Sequence, residues 1–259
     1  MITALISTVG PRIKNLSLPP LHPNVRYVVV QQSFNGFFES LPSVLLNRSD
    51  VKLIRCDRLG LSVSRNLGIQ NIETDYCQIY DDDVAIDLQH LLSLPGLFHI
   101  FGAQVITGSF QFSNGNLPKI YKDSPFRRNL LSCMQVSSVE IAFDVSFIRK
   151  NGILFNEQFG LGAKYPSGEE FIFLSNLIRI GAEVWFIPSS TCIHPPMTSG
   201  LSFYKNDKSI VAKRSMFKEV FGTLGFFFTV LFALKKAPLV CLNGGNYFRF
   251  LKVLFFGKN

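Results

Sequence analysis

The sequence is short of the groups that staple extracellular domains or close zinc sites. Its five cysteines, Cys56, Cys77, Cys133, Cys192 and Cys241, are scattered, odd in number and without a CxxC pair. That argues against a disulfide framework and suits a reducing cytosol. Charged residues are 17% of the 259 positions against 47% hydrophobic, which excludes disorder of the whole chain. No basic region precedes the apolar residues of Met1 to Ser7, so they read as a first strand rather than a signal peptide. The apolar run Val220 to Leu234 falls short of the ~20 residues that span a bilayer.

Acidic residues are scarce in one place. Positions 1–204 hold 16 Lys and Arg against 16 Asp and Glu, whereas 205–259 hold 10 against 2. The whole net charge of +8 therefore lies in the C-terminal extension. Within it, Phe226 to Leu234 is apolar and bounded by Lys235 and Lys236, and Tyr247 to Phe256 interleaves Arg249 and Lys252 with Phe and Leu. Such stretches suit a membrane interface. Nucleic acid would need stacking aromatics on a polar groove, and this segment is too apolar for that. The plain alternative is a helix pair completing the core.

Strand signals recur ahead of it. Ala4 to Val9, Val25 to Val30, Val51 to Cys56 and Tyr76 to Tyr80 are short runs rich in β-branched or aromatic residues. Gln31 to Gly36 reads as a polar loop. Leu61 to Ile69 reads as a helix with Ser62 as its N-cap, and Gly68 inside it calls for close packing or a ligand. Val105 to Phe112 is a further strand, Ser113 to Asn116 a turn, and Pro118 to Asn129 a basic, mobile loop. Ser137 to Phe147 fits strand or helix. Gly160 to Gly168 is a glycine-rich loop, Glu169 to Arg179 a helix ended by Gly181, and Ala182 to Ile187 a strand. Cys192 to Pro196 is extended. Strands alternating with helices predict an α/β fold with a mainly parallel, Rossmann-like sheet flanked by helices. Ligands gather at the carboxyl ends of such strands, where Thr8, Gln32, Asp57 and Asp81 fall.

The most informative stretch is Asp81-Asp82-Asp83. Three adjacent carboxylates repel one another and resist burial, so a cation belongs among them. A hard divalent ion takes oxygen ligands and shares them with phosphate. A solvated acidic turn is the plain alternative. Arg58 and Arg65 are suited to phosphate or base contacts, although a surface ion pair is the commoner role for an arginine. Glu169 and Glu170 open a helix after the glycine loop; one could be a general base, or both could serve the helix dipole. His194, one of four histidines, is either a metal ligand or a hydrogen-bonded structural group.

Taken in order, Ser7 to Arg12, Gly60-Leu61-Ser62-Val63-Ser64-Arg65-Asn66-Leu67-Gly68, Asp81-Asp82-Asp83, Phe155 to Gly160, Gly168-Glu169-Glu170 and His194-Pro195 resemble glycosyltransferase family 2 with a GT-A fold, over roughly residues 3–200. The resemblance implies a metal-dependent, inverting transferase of the bacterial surface-glycan type. It would use a nucleotide-sugar donor and a hydroxyl of a glycan or lipid-linked acceptor. Thr8, Pro11 and Arg12 would line the nucleotide, with Gln32, Arg58, Gly60, Arg65 and Asn66 on the same donor side. Asp81 and Asp83 match the DxD motif that holds Mn²⁺ or Mg²⁺, with His194 as a further ligand, and Asp82 faces ribose or sugar. Glu170, or else Glu169, would be the base. Two features depart from the family: Gln31-Gln32 stand where an acid usually binds the base, and Glu170 replaces the usual Asp.

The expected organisation is a GT-A domain over 1–204 and a basic, Phe-rich helical extension over 205–259. The expected place is the cytoplasm, peripheral to the inner face of the membrane. A sugar nucleotidyltransferase and a non-catalytic glycan-binding or assembly protein are the rival readings. Gly10-Pro11-Arg12 poorly matches the glycine-rich loop of the first, and the intact acids weigh against the second. Donor and acceptor choice would reside in the loops Asn114 to Asn129 and Gly160 to Gly168.

Overall fold

A computed structural model describes residues 1–196 and 203–257 of the chain. Its strands and helices run β1 (Ile2–Val9), β2 (Val25–Gln32), β3 (Val51–Cys56), α1 (Leu61–Gln70), β4 (Tyr76–Asp81), β5 (Ala85–Ile86), α2 (Leu88–Phe101), β6 (Val105–Phe112), β7 (Phe126–Arg127), β8 (Ile141–Asp144), α3 (Val145–Asn151), α4 (Glu169–Arg179), β9 (Val184–His194), α5 (Asp207–Phe221), α6 (Gly225–Leu242) and α7 (Tyr247–Phe256). One sheet holds all nine strands in the order β3-β2-β1-β4-β8-β6-β9-β5, with β7 also on β9.

The first half of the sheet, β3-β2-β1-β4, is parallel throughout. The second half is mixed: β8 runs antiparallel to both β4 and β6, while β6 and β9 are parallel. Both faces are covered. Leu5 of β1 joins one core with α1, α3, α4 and α5, while Ala4 and Ile6 point into a second core with α2. Burial on both faces accounts for the continuous apolar runs of these strands, since neither face meets water.

Several local expectations need correcting. Gln31 and Gln32 are not loop residues; they finish β2 with buried side chains. Ser62 is not the N-cap of α1. Gly60 holds that place at φ +121°, and Ser62 lies inside the helix, donating to the Phe159 carbonyl at 2.6 Å. Gly68 is explained by packing alone, because a Cβ there would fall 2.1 Å from Leu5 Cδ1. The segment from Pro118 to Asn129 is tied down: Phe126–Arg127 pairs with β9, and Lys119 and Tyr121 both bond the fully buried Glu140. Ser137 to Phe147 divides into a capped 3-10 turn, β8 and the start of α3. Helix α2 went unread because its apolar residues are dense rather than striped; Asp87 caps it by accepting from His90 N at 3.1 Å.

The C-terminal extension is helical. Met216, Phe217 and Val220 of α5 enter the core beside α4, so the extension begins as part of the main packing. Helices α6 and α7 close a smaller cluster around Phe250 and Leu254, leaving Phe226, Phe227, Phe248 and Phe256 exposed. Helix extends beyond the apolar run at both ends. Counted through the turn between α5 and α6, the stretch Asp207–Leu242 is, by length and composition only, long and apolar enough to cross a membrane, although α6 packs back on α5.

Candidate active site

Parallel pairing brings the ends of β1, β2 and β4 to one edge, with Ser7 opposite Asp81 and Val9 opposite Gln32. The end of β9 adds His194 from the other half of the sheet. Between them opens a cavity of about 920 Å³, walled further by the N-terminus of α4 and by α5. Of the residues expected in a site, Thr8, Arg12, Gln32, Gly60, Asp81, Asp82, Asp83, Glu169, Glu170 and His194 line it.

The acid triplet divides by partner. Asp82 is turned inward, accepting from Thr8 Oγ1 at 2.6 Å and from Arg12 Nε at 3.0 Å, with Arg12 Nη2 on its other oxygen. Two hydrogen bonds from one guanidinium make the strong forked geometry, and they occupy both carboxylate oxygens. Asp81 and Asp83 remain turned to the cavity. His194 Nε2 lies 3.9 Å from Asp81 Oδ2 and 3.9 Å from Asp83 Oδ1. Its Nδ1 is 2.7 Å from the Pro195 carbonyl, which can only accept, so Nδ1 carries a proton and Nε2 is the ring nitrogen that faces the two aspartates. Burial holds the Asp81 carboxyl above its ordinary pKa, with Asp83 and Glu170 adding to the rise and Arg65 and His194 opposing it.

Arg65 is the hub beneath these acids. It is 1% exposed, with Nη1 3.2 Å from Glu169 Oε1 and 3.8 Å from Glu170 Oε1, and Nη2 3.6 Å from Asp81 Oδ1. Its guanidinium lies 5.4 Å from the centre of the Phe155 ring. A buried arginine can be held in this way only with several carboxylates around it. Glu169 is buried against Arg65, whereas Glu170 keeps 21% of its side chain exposed at the cavity. Burial, then the neighbouring Glu169, raises the Glu170 pKa to about 7, against the opposing pull of Arg65 and Lys213.

The loop before α4 is sewn to α1. Asn66 donates to the Phe155 carbonyl at 2.9 Å and accepts from Phe155 N at 2.8 Å, and Leu61 N donates to Leu161 O at 2.8 Å. Asn66 therefore supports the site without lining it. Arg58 also stands off the cavity, 3.5 Å from Glu157, and Pro11 does not reach it. Gln32 donates its amide to the Gly60 carbonyl at 3.0 Å. Gly168 sits at φ +112°, where a Cβ would come 2.9 Å from Met216 Cγ of α5. Sequence reasoning missed Lys213 and Ser137 to Val139 as cavity residues, because they arrive from elements distant in sequence.

Comparison with known proteins bears on this arrangement. Residues 36–159 match the model of glycosyl transferase family 2, a span that includes Arg65, Asn66 and the acid triplet. Just under half of the chain therefore carries the sequence pattern of glycosyl transferase family 2. Thr8, Glu169, Glu170 and His194 lie outside the matched span and join the site through the fold. S. aureus TarS 1-349 in complex with UDP is similar at TM-score 0.59 and 15% identity, over 91% of this chain and 75% of that one. The same S. aureus protein in complex with UDP-GlcNAc gives 0.57 and 13%, over 98% and 82%. These likenesses show a GT-A-type fold. No curated protein sequence matches the chain.

Proposed function

We propose that this glycosyltransferase moves a sugar from a nucleotide-sugar donor to an acceptor hydroxyl with inversion at the anomeric carbon. The observation that carries the reading is one cavity with two acidic sets: Asp81 and Asp83 with His194, and Glu170 at the start of α4. Among the described residues no three His, Cys, Asp or Glu side chains are arranged as a ready-made metal site. Two carboxylates and an imidazole nitrogen are nonetheless a donor set that suits Mn²⁺ or Mg²⁺. His194 Nε2 stands 3.9 Å from an oxygen of each aspartate, wider than the roughly 3 Å between neighbouring ligands of such an ion, so the three side chains would draw in to hold it. Asp81, Asp83 and His194 would hold the ion, which supplies positive charge against the departing diphosphate.

The protein's own groups do the rest. Thr8 and Arg12 hold Asp82 rigid beside the donor edge, with Arg12 also 3.1 Å from Asp83. Gln32 and Gly60 border the nucleotide side, and TarS bound to UDP makes a uridine nucleotide the first donor to try. Glu170, poised near neutrality, takes the acceptor proton, and Arg65 keeps it aimed. Residues 1–204 form the catalytic unit in this reading, completed by α5, whose Lys213 lines the cavity. The basic, phenylalanine-bearing 205–259 extension lies on the inner face of the membrane near a glycan or lipid-linked acceptor.

The test is thermal protection of the intact chain by a panel of nucleotide diphosphates, with and without Mn²⁺. One nucleotide should protect only with the metal, and Asp83→Ala should abolish that protection. Protection by none, or protection untouched by Asp83→Ala, would overturn the donor site.

A further inference from the structure

Arg12 and Lys213 are the two Lys or Arg side chains that line the cavity among the described residues. Arg12 is committed to Asp82 and Asp83. Lys213 makes no ion pair within 4.0 Å among the described residues, and its electrostatic neighbours are Glu170, Glu169 and Lys236. None of the three aspartates is among them, so Lys213 belongs with the glutamates of the cavity wall.

Its place on α5 is unusual. Lys213 precedes Met216, Phe217 and Val220 at the spacing of one helical stripe, and those three are buried in the core. An apolar residue at position 213 would serve packing better, since burial works against the ammonium. Lys236 of α6, lying 5.7 Å from the Phe203 ring centre, adds a second positive charge from behind. Glu170 and Glu169 act on Lys213 more strongly than Lys236 does, but Glu169 is engaged by Arg65 and neither glutamate comes within 4.0 Å of Lys213, which leaves the ammonium open to an anion from the cavity.

We propose that Lys213 makes an acceptor subsite for an anionic group, a phosphate ester carried close to the hydroxyl that is glycosylated. The inference rests on Glu170 marking the acceptor side. The lysine acts as a point charge that binds and orients the phosphate, bringing the neighbouring hydroxyl to Glu170. The phosphate could belong to a soluble ester or to a lipid headgroup.

The experiment titrates the intact chain with glycerol 3-phosphate, with glycerol, and with vesicles of phosphatidylglycerol or phosphatidylcholine. The variants are Lys213→Met, Lys213→Arg and Arg12→Met. Glycerol 3-phosphate should bind where glycerol does not. Lys213→Met should weaken it at least tenfold without lowering the thermal midpoint, while Lys213→Arg and Arg12→Met should keep it within about threefold. A parallel loss of phosphatidylglycerol binding in Lys213→Met assigns the phosphate to a headgroup; unchanged vesicle binding assigns it to a soluble ester. The proposal is overturned if the ester binds no better than glycerol or ignores Lys213→Met. It also fails if Lys213→Arg loses as much as Lys213→Met, or if Arg12→Met is the variant that loses. Nucleotide protection with Mn²⁺ is read on the same samples. Its presence with no phosphate binding sinks this inference alone; its absence sinks the donor reading.

Discussion

Glu170→Gln should make the protein less active and more stable, by amounts that depend on pH. Burial and the adjacent Glu169 raise the Glu170 pKa from 4.5 to about 7, and Arg65 and Lys213 only partly oppose them. The folded state therefore binds a proton that the unfolded chain releases between those two values. Stability falls as pH rises through that window, and is fully retained below the unfolded value. A shift of this size corresponds to a ceiling of roughly 3 kcal/mol at pH 8. Glutamine keeps the shape and never ionises, so Glu170→Gln should be about 1–3 kcal/mol more stable than the parent at pH 8. In a chain of this length that is a rise of roughly 2–10 °C in thermal midpoint. The gain should shrink to near zero by pH 5. Turnover should drop by about 10²–10⁴, the usual share of a general base. In the parent, activity should fall about tenfold from pH 8 to pH 6 as the base protonates. Thermal melts at pH 5, 6, 7 and 8 with initial rates on the same samples provide the assay. A midpoint difference constant across that range would refute the reasoning, because it would mean that Glu170 ionises as an ordinary surface carboxylate.

Other outcomes follow from the same geometry. Arg12→Met leaves the buried Asp82 with Thr8 as its remaining hydrogen-bond donor and should cost about 1–3 kcal/mol in denaturant unfolding. Gly168→Ala sets a side chain at φ +112° and against Met216; about 1–3 kcal/mol of stability should go, with most activity, as α4 and α5 part. Asn66→Ala removes both bonds to Phe155, so kcat should fall while Mn²⁺-dependent nucleotide protection persists. Truncation after Gly222 removes exposed Phe226, Phe227, Phe248 and Phe256 and should reduce sedimentation with anionic liposomes, the remaining binding falling with salt.

Much of this was legible in the linear chain because the signals are local. A β-branched run such as Val25 to Val30 can be buried on both faces only as a central strand. An acid triplet at a strand end is costly unless something positive attends it, whatever the rest of the fold. Gly60, Gly168 and Gly181 punctuate helices because they take up a positive φ that other residues resist. These properties belong to short segments, and they sufficed for the parallel first half of the sheet and for placing the acid triplet at its carboxyl edge.

Tertiary structure decided the remainder, because it depends on which distant segments share a wall. Asp82 and its two neighbours have one chemistry in sequence; only the approach of Thr8 and Arg12 turns Asp82 inward and leaves Asp81 and Asp83 to the cavity. Arg65 has the look of a phosphate-binding arginine, and three carboxylates from β4 and α4 enclose it instead as a buried hub. Adjacent Glu169 and Glu170 differ because one helix start turns the first beneath the floor and the second to the opening. Lys213, in a segment whose composition suits a membrane interface or a helix pair completing the core, reaches the cavity because α5 packs on α4. Composition and periodicity specify what each segment can do alone; the charges it meets, and the work they leave it, come from packing.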